Sequence, residues 1–313
     1  MSETPATQVF IGHRELLFSI VYNMLGSVAD TEDVLQETWL AWASRDPEQI
    51  DHPRAYLVRI AVNRALARQA SISRRREEYV GPWLPEPVAT GLDDATDPAV
   101  RAESVSMALL VVLQTLTPLE RVVFLLNEVF GYAHTEIAEI LDRTPAAVRQ
   151  LAHRAREHVH ARRPRYDVDP GLRRKATEKF LSAVFGGDLK GLLRLLAPDV
   201  TFWADSGGKA PVPGVRPIHG RDKVARFLTS GFDRVPAGLN IHYREVNGDP
   251  SAVLFDGEAP FGMMVLDLSP DGEQVRGIYA VTNPDKLTHL SPENPERSDS
   301  GPAGAPSWER ADD

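Results

Sequence analysis

Apolar residues recur at helical spacing through the first quarter of the chain. In "FIGHRELLFSIVYNMLGSV", Phe10, Leu17, Ile20, Val21, Met24 and Leu25 fall close to a 3.6-residue repeat, which predicts one amphipathic helix. "ADTEDVLQETWLAWA" predicts a second, with Asp30 or Thr31 as N-cap and acids in the first turn, where the helix dipole favours them. "PRAYLVRIAVNRALARQASISRRR" predicts a third, opened by Pro53 at a tolerated position, and its helical wheel gives no clean wet face. Residues 79–100, "YVGPWLPEPVATGLDDATDPAV", are rich in Pro, Gly and Asp without helical period and predict a linker. Fully extended at ~3.3–3.6 Å per residue, that linker reaches roughly 70 Å.

Helical periodicity resumes at about 101 and continues to about 163. Thr144 supplies an N-cap and Pro145 a first-turn proline for the last helix, in which Val148, Leu151, Ala152, Ala155 and Val159 share one face. Ala146, Arg149, Gln150 and His153 lie opposite, with Arg154, Arg156 and His160 further along. A short amphipathic helix, Thr135 to Leu141, precedes it across the turn "DRT". Helix, short turn and helix with a basic outer face is the helix-turn-helix arrangement, whose second helix enters the DNA major groove. Arginine suits guanine O6 and N7 and glutamine suits adenine N6 and N7, which makes Arg149 and Gln150 candidate base readers. Arg154, Arg156, Arg162 and Arg163 are candidate phosphate contacts, which position without specifying. A solvated face of an ordinary bundle is the competing account; the capped start, short turn and scarcity of acids favour DNA.

From about 170 to 290 the pattern changes. Two helices, "GLRRKATEKFLSAVFGG" and "LKGLLRLLA", lead into the strand-like runs "VTFWA", "LNIHYREV", "SAVLFDG", "PFGMMVLDLS" and "QVRGIYAVT", with a helix "GRDKVARFLTSGF" among them. Helices grouped early and strands late predict an α+β domain with an antiparallel sheet. Residues 291–313 have the composition of a disordered tail.

Composition bounds the function. The 313 residues contain no cysteine, which excludes disulfides, thiolate metal sites and cysteine nucleophiles and fits a cytoplasmic location. No run approaches the ~20 apolar residues of a membrane span. A net charge of −9 argues against coating nucleic acid through bulk charge, yet charge is sharply divided locally. Positions 27–51 hold seven acids against one arginine, and positions 54–76 hold seven arginines and no acid. Such a split predicts two partners, one basic and one a polyanion.

Taken in order, these stretches resemble a known family. "LTPLERVVFLL…EVFGYAHTEIAEILDRTPAAVRQLAHRAR" is similar to region 4 of bacterial RNA polymerase sigma factors, which reads the −35 promoter element. "ADTEDVLQETWLAW" resembles region 2.2, which docks on the polymerase β′ coiled coil, and "HPRAYLVRIAVNRALAR" the adjoining part that melts and reads the −10 element. "WLPEP" in the linker, "DSGGK" at 205–209 and "NPDKL" at 283–287 are similar to signatures of extracytoplasmic-function (ECF) sigma factors with a fused SnoaL-like domain. Asp142 stands at a turn position where the family often has glycine, and Ser206 where the group usually has another.

The resemblance implies a multidomain protein: two all-α sigma domains followed by an α+β, cone-shaped SnoaL-like domain. Region 2 would occupy 8–78, the linker 79–100, region 4 with its helix-turn-helix 101–165, the SnoaL-like domain 170–290 and the tail 291–313. Asp30, Glu32, Asp33, Gln36, Glu37 and Trp39 would meet polymerase, with Trp42 as a second possible aromatic anchor; core polymerase would be engaged through its β′ coiled coil and β flap. Asn63 would contact a flipped −10 base, with Arg59, Arg64 and Arg68 on phosphates or bonded to the acidic helix. Trp83, Leu84 and Pro85 would dock against Asp205, Gly207, Gly208, Lys209, Asn283, Pro284 and Asp285, giving regulation in cis. Because some SnoaL-like relatives are enzymes, Asp205, Trp203, His219, Asp222, His242 and Tyr243 are weighed as an acid/base set, but no spacing forces them together. No cofactor or metal is expected, no membrane is involved, and whether a small molecule occupies the SnoaL-like pocket is left open. The rival readings are a ligand-sensing helix-turn-helix regulator independent of polymerase, separable by a core-polymerase pull-down, and an enzyme with an accessory DNA-binding region, separable by turnover.

Overall fold

The computed structural model describes residues 4–45, 50–89, 105–162, 168–209, 216–231, 236 and 238–290. Helix α1 (Pro5–Leu25) is capped by Thr4 and ends on Gly26 in the left-handed conformation. The second helix, α2 (Val28–Ala43), is capped at Ser27, ahead of both Asp30 and Thr31: the Ser27 hydroxyl accepts from the Asp30 amide. Pro53 opens α3 (Pro53–Glu77). Contrary to the wheel, α3 has a clear inner face, Leu57, Val58, Ala61, Val62, Ala65, Gln69 and Ile72, because its alanines pack as core against α1 and α2.

Region 4 begins with α4 (Met107–Leu113) and α5 (Pro118–Phe124), the latter opened by a Thr117–Glu120 capping box and continuing into a π turn, Leu125–Val129. Helices α6 (His134–Leu141) and α7 (Pro145–Arg162) are joined by Asp142 at φ 53°, so the aspartate takes the left-handed position usually given to glycine. Thr144 caps α7 through the Ala147 amide at 3.2 Å. Apolar residues of α1–α3 and of region 4 form one continuous cluster, from Phe10 to Val159.

The third domain has helices α8 (Pro170–Phe185), α9 (Leu189–Leu195) and α10 (Arg221–Gly231) on a six-stranded sheet of order β2-β1-β6-β5-β4-β3. The strands are β1 (Leu196–Asp205), β2 (Ile218–His219), β3 (Asn240–Val246), β4 (Asp249–Asp256), β5 (Ala259–Leu268) and β6 (Val275–Val281). The sheet is mixed, not antiparallel: β1 runs parallel to β6, since the chain leaves β1, crosses through α10 and the β3–β5 meander, and returns beside it.

Side-chain alternation gives this sheet two apolar faces. Phe202, Ala204, Ala252, Met264, Leu266, Ile278 and Ala280 meet Phe180, Leu181, Val184, Val224 and Leu228 of the domain's own helices. Val253, Phe255, Met263, Val265, Tyr279 and Val281 point the other way, and there they are covered by Leu84 of the linker and by Met107 and Ala108 of α4. Residues 90–104 and the tail 291–313 lie outside the described residues.

Candidate functional site

Three neighbouring assemblies carry the candidate residues. The first is the linker lock. Asp205, at the last position of β1, is fully buried. Its carboxylate accepts from the Tyr79 hydroxyl, from the Leu84 amide at 2.8 Å and from the Lys286 ammonium at 2.7 Å. Lys286 is itself buried, donates to the Leu84 carbonyl at 2.6 Å, and sits 3.4 Å from the centre of the Trp83 ring. Burial pushes its ammonium down to about 8, against the opposing pull of Asp205. Burial and the adjacent Asp205 carboxylate raise the Tyr79 phenol. Asn283 donates to the Tyr79 oxygen at 2.7 Å. A side chain at Gly207 (φ +57°) would lie 2.5 Å from that amide nitrogen, and one at Gly208 (φ +71°) would press on Val80 at 3.3 Å. Pro284 opens the short turn carrying Asp285 and Lys286, and Lys209 pairs with Asp285 at the exposed rim.

The lock therefore unites Trp83, Leu84, Asp205, Gly207, Gly208, Lys209, Asn283, Pro284 and Asp285, while Pro85 packs on Gly26 of region 2. Tyr79 and Lys286, its central donors, escape a reading of motifs because each is one ordinary residue inside or beside a quoted run. Nor do the motifs show the contacts that carry the lock into region 2. The Glu86 carboxylate accepts from the Val28 amide at 2.6 Å, and the Tyr22 hydroxyl donates to the Glu86 carbonyl at 2.5 Å. Asn247, in the left-handed position of the β3–β4 turn, donates to Tyr22 at 2.6 Å. An Asn-Gly pair such as 247–248 suits a tight hairpin turn, but its contact with region 2 has no local signature.

The second assembly is region 2. Here the two charge blocks partner each other. Arg64 meets Glu37 at 2.8 Å; Arg68 meets Asp30 at 2.9 Å and also Asp33 and Glu37; Arg75 meets Asp30 at 2.8 Å. Asp30 departs from the expected surface role: its side chain is only 7% exposed, and although burial opposes ionisation, Arg68 and Arg75 hold its carboxyl below the ordinary 3.8. Asp33 and Gln36 are exposed, Glu32 and Glu37 half-buried, and Glu32 pairs with Arg14. Trp39 is half-buried against Phe10, whereas Trp42 is a core residue donating to the Ala6 carbonyl at 2.8 Å, not an anchor for a partner. Leu40, 67% exposed beside Trp39, is an apolar surface residue that the helical pattern passed over. Asn63 donates to the Arg59 carbonyl at 2.8 Å and to the Ile140 carbonyl of region 4 at 3.2 Å. Arg59 lines a cleft of about 1040 Å³ between α1, the start of α3 and α6.

The third is α7. Val148, Ala152, Ala155 and Val159 are buried and Leu151 half-buried, while Ala146, Arg149, Gln150, His153 and His160 are exposed. Arg149 and Gln150 make no hydrogen bond or ion pair among the described residues. Arg154 pairs with Glu120 at 2.9 Å and Arg156 with Glu128, so these two bind their own domain here. Arg163 lies outside the described residues.

The acid/base set of the third domain does not assemble. Asp205 is consumed by the lock, Trp203 stacks on Tyr279, His219 bonds Thr201 at 3.0 Å, and His242 abuts Phe255. Asp222 is exposed on α10, and Tyr243 is exposed on the edge strand.

Two helical units with this order of acidic helix, arginine-rich helix and helix-turn-helix, followed by a cone-like α+β unit, define a sigma-type initiation factor with an added domain. Family models agree: sigma-70 region 2 matches residues 10–75, sigma-70 region 4 residues 106–159 and a SnoaL-like domain residues 177–282. The ECF RNA polymerase sigma factor SigJ of Mycobacterium tuberculosis is 40% identical over 286 residues, covering 88% of this chain and 91% of that protein. SigG, an ECF sigma factor of the same organism, is 27% identical over 83% of this chain and 76% of its own. The crystal structure of SigJ superposes with a TM-score of 0.70 at 37% identity, over 90% of this chain and 98% of that one. The chain belongs to the ECF RNA polymerase sigma factor family, and is an alternative sigma factor with a C-terminal SnoaL-like domain. Among the described residues no helix is long and apolar enough to cross a membrane.

Proposed function

We propose that the SnoaL-like domain is a regulatory clamp on the sigma part, acting in cis and not by catalysis. One observation carries this reading: an apolar face of its sheet is covered by Leu84, Met107 and Ala108, residues of the linker and of region 4. A sheet face of this kind is unstable in water, and fully burying one leucine contributes about 1.5–3 kcal/mol. Docking 79–89 also withdraws half the linker, roughly 35 Å of extended reach at ~3.3 Å per residue. The domain thereby limits how far regions 2 and 4 can separate.

In this reading Glu32, Asp33, Gln36 and Glu37, with Trp39 and Leu40 beside them, form the polymerase face toward the β′ coiled coil, and region 4 would reach the β flap. Charge there steers encounter while apolar contact supplies affinity. Arg149, Gln150, His153 and the backbone near Ala146 read the −35 element. Asn63 and Arg59 serve the −10 element; Arg64, Arg68, Arg154 and Arg156 reach phosphates only after exchanging their present carboxylate partners.

The test is promoter-dependent transcription in vitro with core polymerase. Full-length chain, a chain ending at 168 and the full-length Asp205→Ala variant are compared. Undocking by Asp205→Ala raises transcript yield several-fold. If all three chains transcribe equally, the domain does not regulate.

A further inference from the structure

The carboxyl end of α1 is unusual in what completes it. A long helix carries partial negative charge there, and basic side chains in the last turn ordinarily offset it. Helix α1 has none of its own. Its last carbonyls are met from other elements: Met24 accepts from Gln69 of α3 at 3.1 Å and from Arg121 of α5 at 2.8 Å, and Leu25 from Arg76 at 2.8 Å. Arg121 belongs to region 4, is 8% exposed, and turns its Nε to the Leu113 carbonyl at the end of α4, at 2.9 Å. This guanidinium is thus held between two helix ends, one from each sigma domain. Burial lowers it to about 10.

At the far side of the same interface, the Ile140 carbonyl of α6 accepts from Asn63. The recognition helix α7, by contrast, shows Arg149 and Gln150 to solvent. Promoter elements named −35 and −10 lie about 25 base pairs apart, roughly 85 Å on duplex DNA at ~3.4 Å per pair. Two domains joined by a shared core and a buried arginine do not span that distance.

We infer that Arg121 is a latch that closes region 4 onto region 2 in the free protein, holding the Asn63 amide on the Ile140 carbonyl while leaving the α7 reading face open. Withdrawal of Arg121 leaves a buried cation without acceptors unless region 4 moves out into water as a unit, so the contact is either made or wholly broken. The inference rests on the sigma reading, but it places a restraint inside the sigma part, separate from the clamp of the SnoaL-like domain.

The chain has no cysteine, so Ala70→Cys and Ala161→Cys, both at exposed positions, accept a pair of dyes on the full-length protein. Single-molecule energy transfer, without polymerase or DNA, shows one high-transfer population for the parent chain. Arg121→Met, which fills the site without donors, loses about half or more of that population to longer distances. Arg121→Lys, which reaches one carbonyl at a time, falls between, and it decides the matter if Arg121→Met does not fold. Folded Arg121 variants that keep the parental transfer distribution overturn the latch. Because the readout is distance alone, equal transcription in the truncation experiment leaves this result standing, and the reverse also holds.

Discussion

Helices α3 and α7 are both rich in arginine, and the structure uses them in opposite ways. In α3, Arg64, Arg68 and Arg75 turn back onto the acidic helix α2 and complete the region 2 bundle. In α7, Arg149 stands in solvent beside Gln150, while the more distal Arg154 and Arg156 are tied down, to Glu120 and Glu128. The difference is set by what lies opposite. A helix of acids packs beside α3, whereas the outer face of α7 meets no other element among the described residues. Density of positive charge along a chain therefore does not distinguish a surface for nucleic acid from an internal adhesive; the partner across the interface does.

That contrast can be broken by experiment. The largest expected effect is on stability: Arg68→Ala leaves the buried Asp30 with one guanidinium and costs about 2–3 kcal/mol, read as a lower urea midpoint. It leaves affinity of region 4 for −35 duplex unchanged. Arg149→Ala does the reverse. It keeps the urea midpoint within ~0.5 kcal/mol but costs about 1–3 kcal/mol of discrimination at a single base pair in a binding titration. Should Arg68→Ala lose DNA affinity without losing stability, the two helices would have been wrongly contrasted.

Acid sharpens the same point. The Asp30 carboxyl is depressed below 3.8 in the folded chain, so its contribution to stability is complete above that value and is lost as pH falls through the lower folded value. Region 2 of the parent chain accordingly melts more readily below pH 3.8, and Asp30→Asn flattens that part of the profile measured by circular dichroism. The smallest effect belongs to the tethered distal arginines of α7. Arg154→Ala and Arg156→Ala each change stability by less than ~1 kcal/mol, as exposed pairs do, and each lowers the salt slope of duplex binding by about one.

Much of the architecture was already legible along the chain. The apolar repeat located α1–α3, Thr144 and Pro145 marked the start of α7, and the basic face of α7 is the one the structure exposes. These are local properties, fixed by periodicity and capping within one element. Residues of the three short motifs meet around Asp205 in the folded chain.

Only the folded chain decided the rest, and for one physical reason: it depends on which groups meet from distant positions. Tertiary packing made Trp42 a core residue and left Trp39 half-buried, buried Asp30 under two arginines, and placed β1 parallel to β6. It placed Arg121 against the carbonyls of Met24 and Leu113, and it laid Leu84 under a sheet built more than 100 residues later. Hydrogen-bond acceptors on the backbone carry no side-chain signature, so a string of letters marks where helices begin and which way they face, but not whose carbonyl oxygen a buried guanidinium will find.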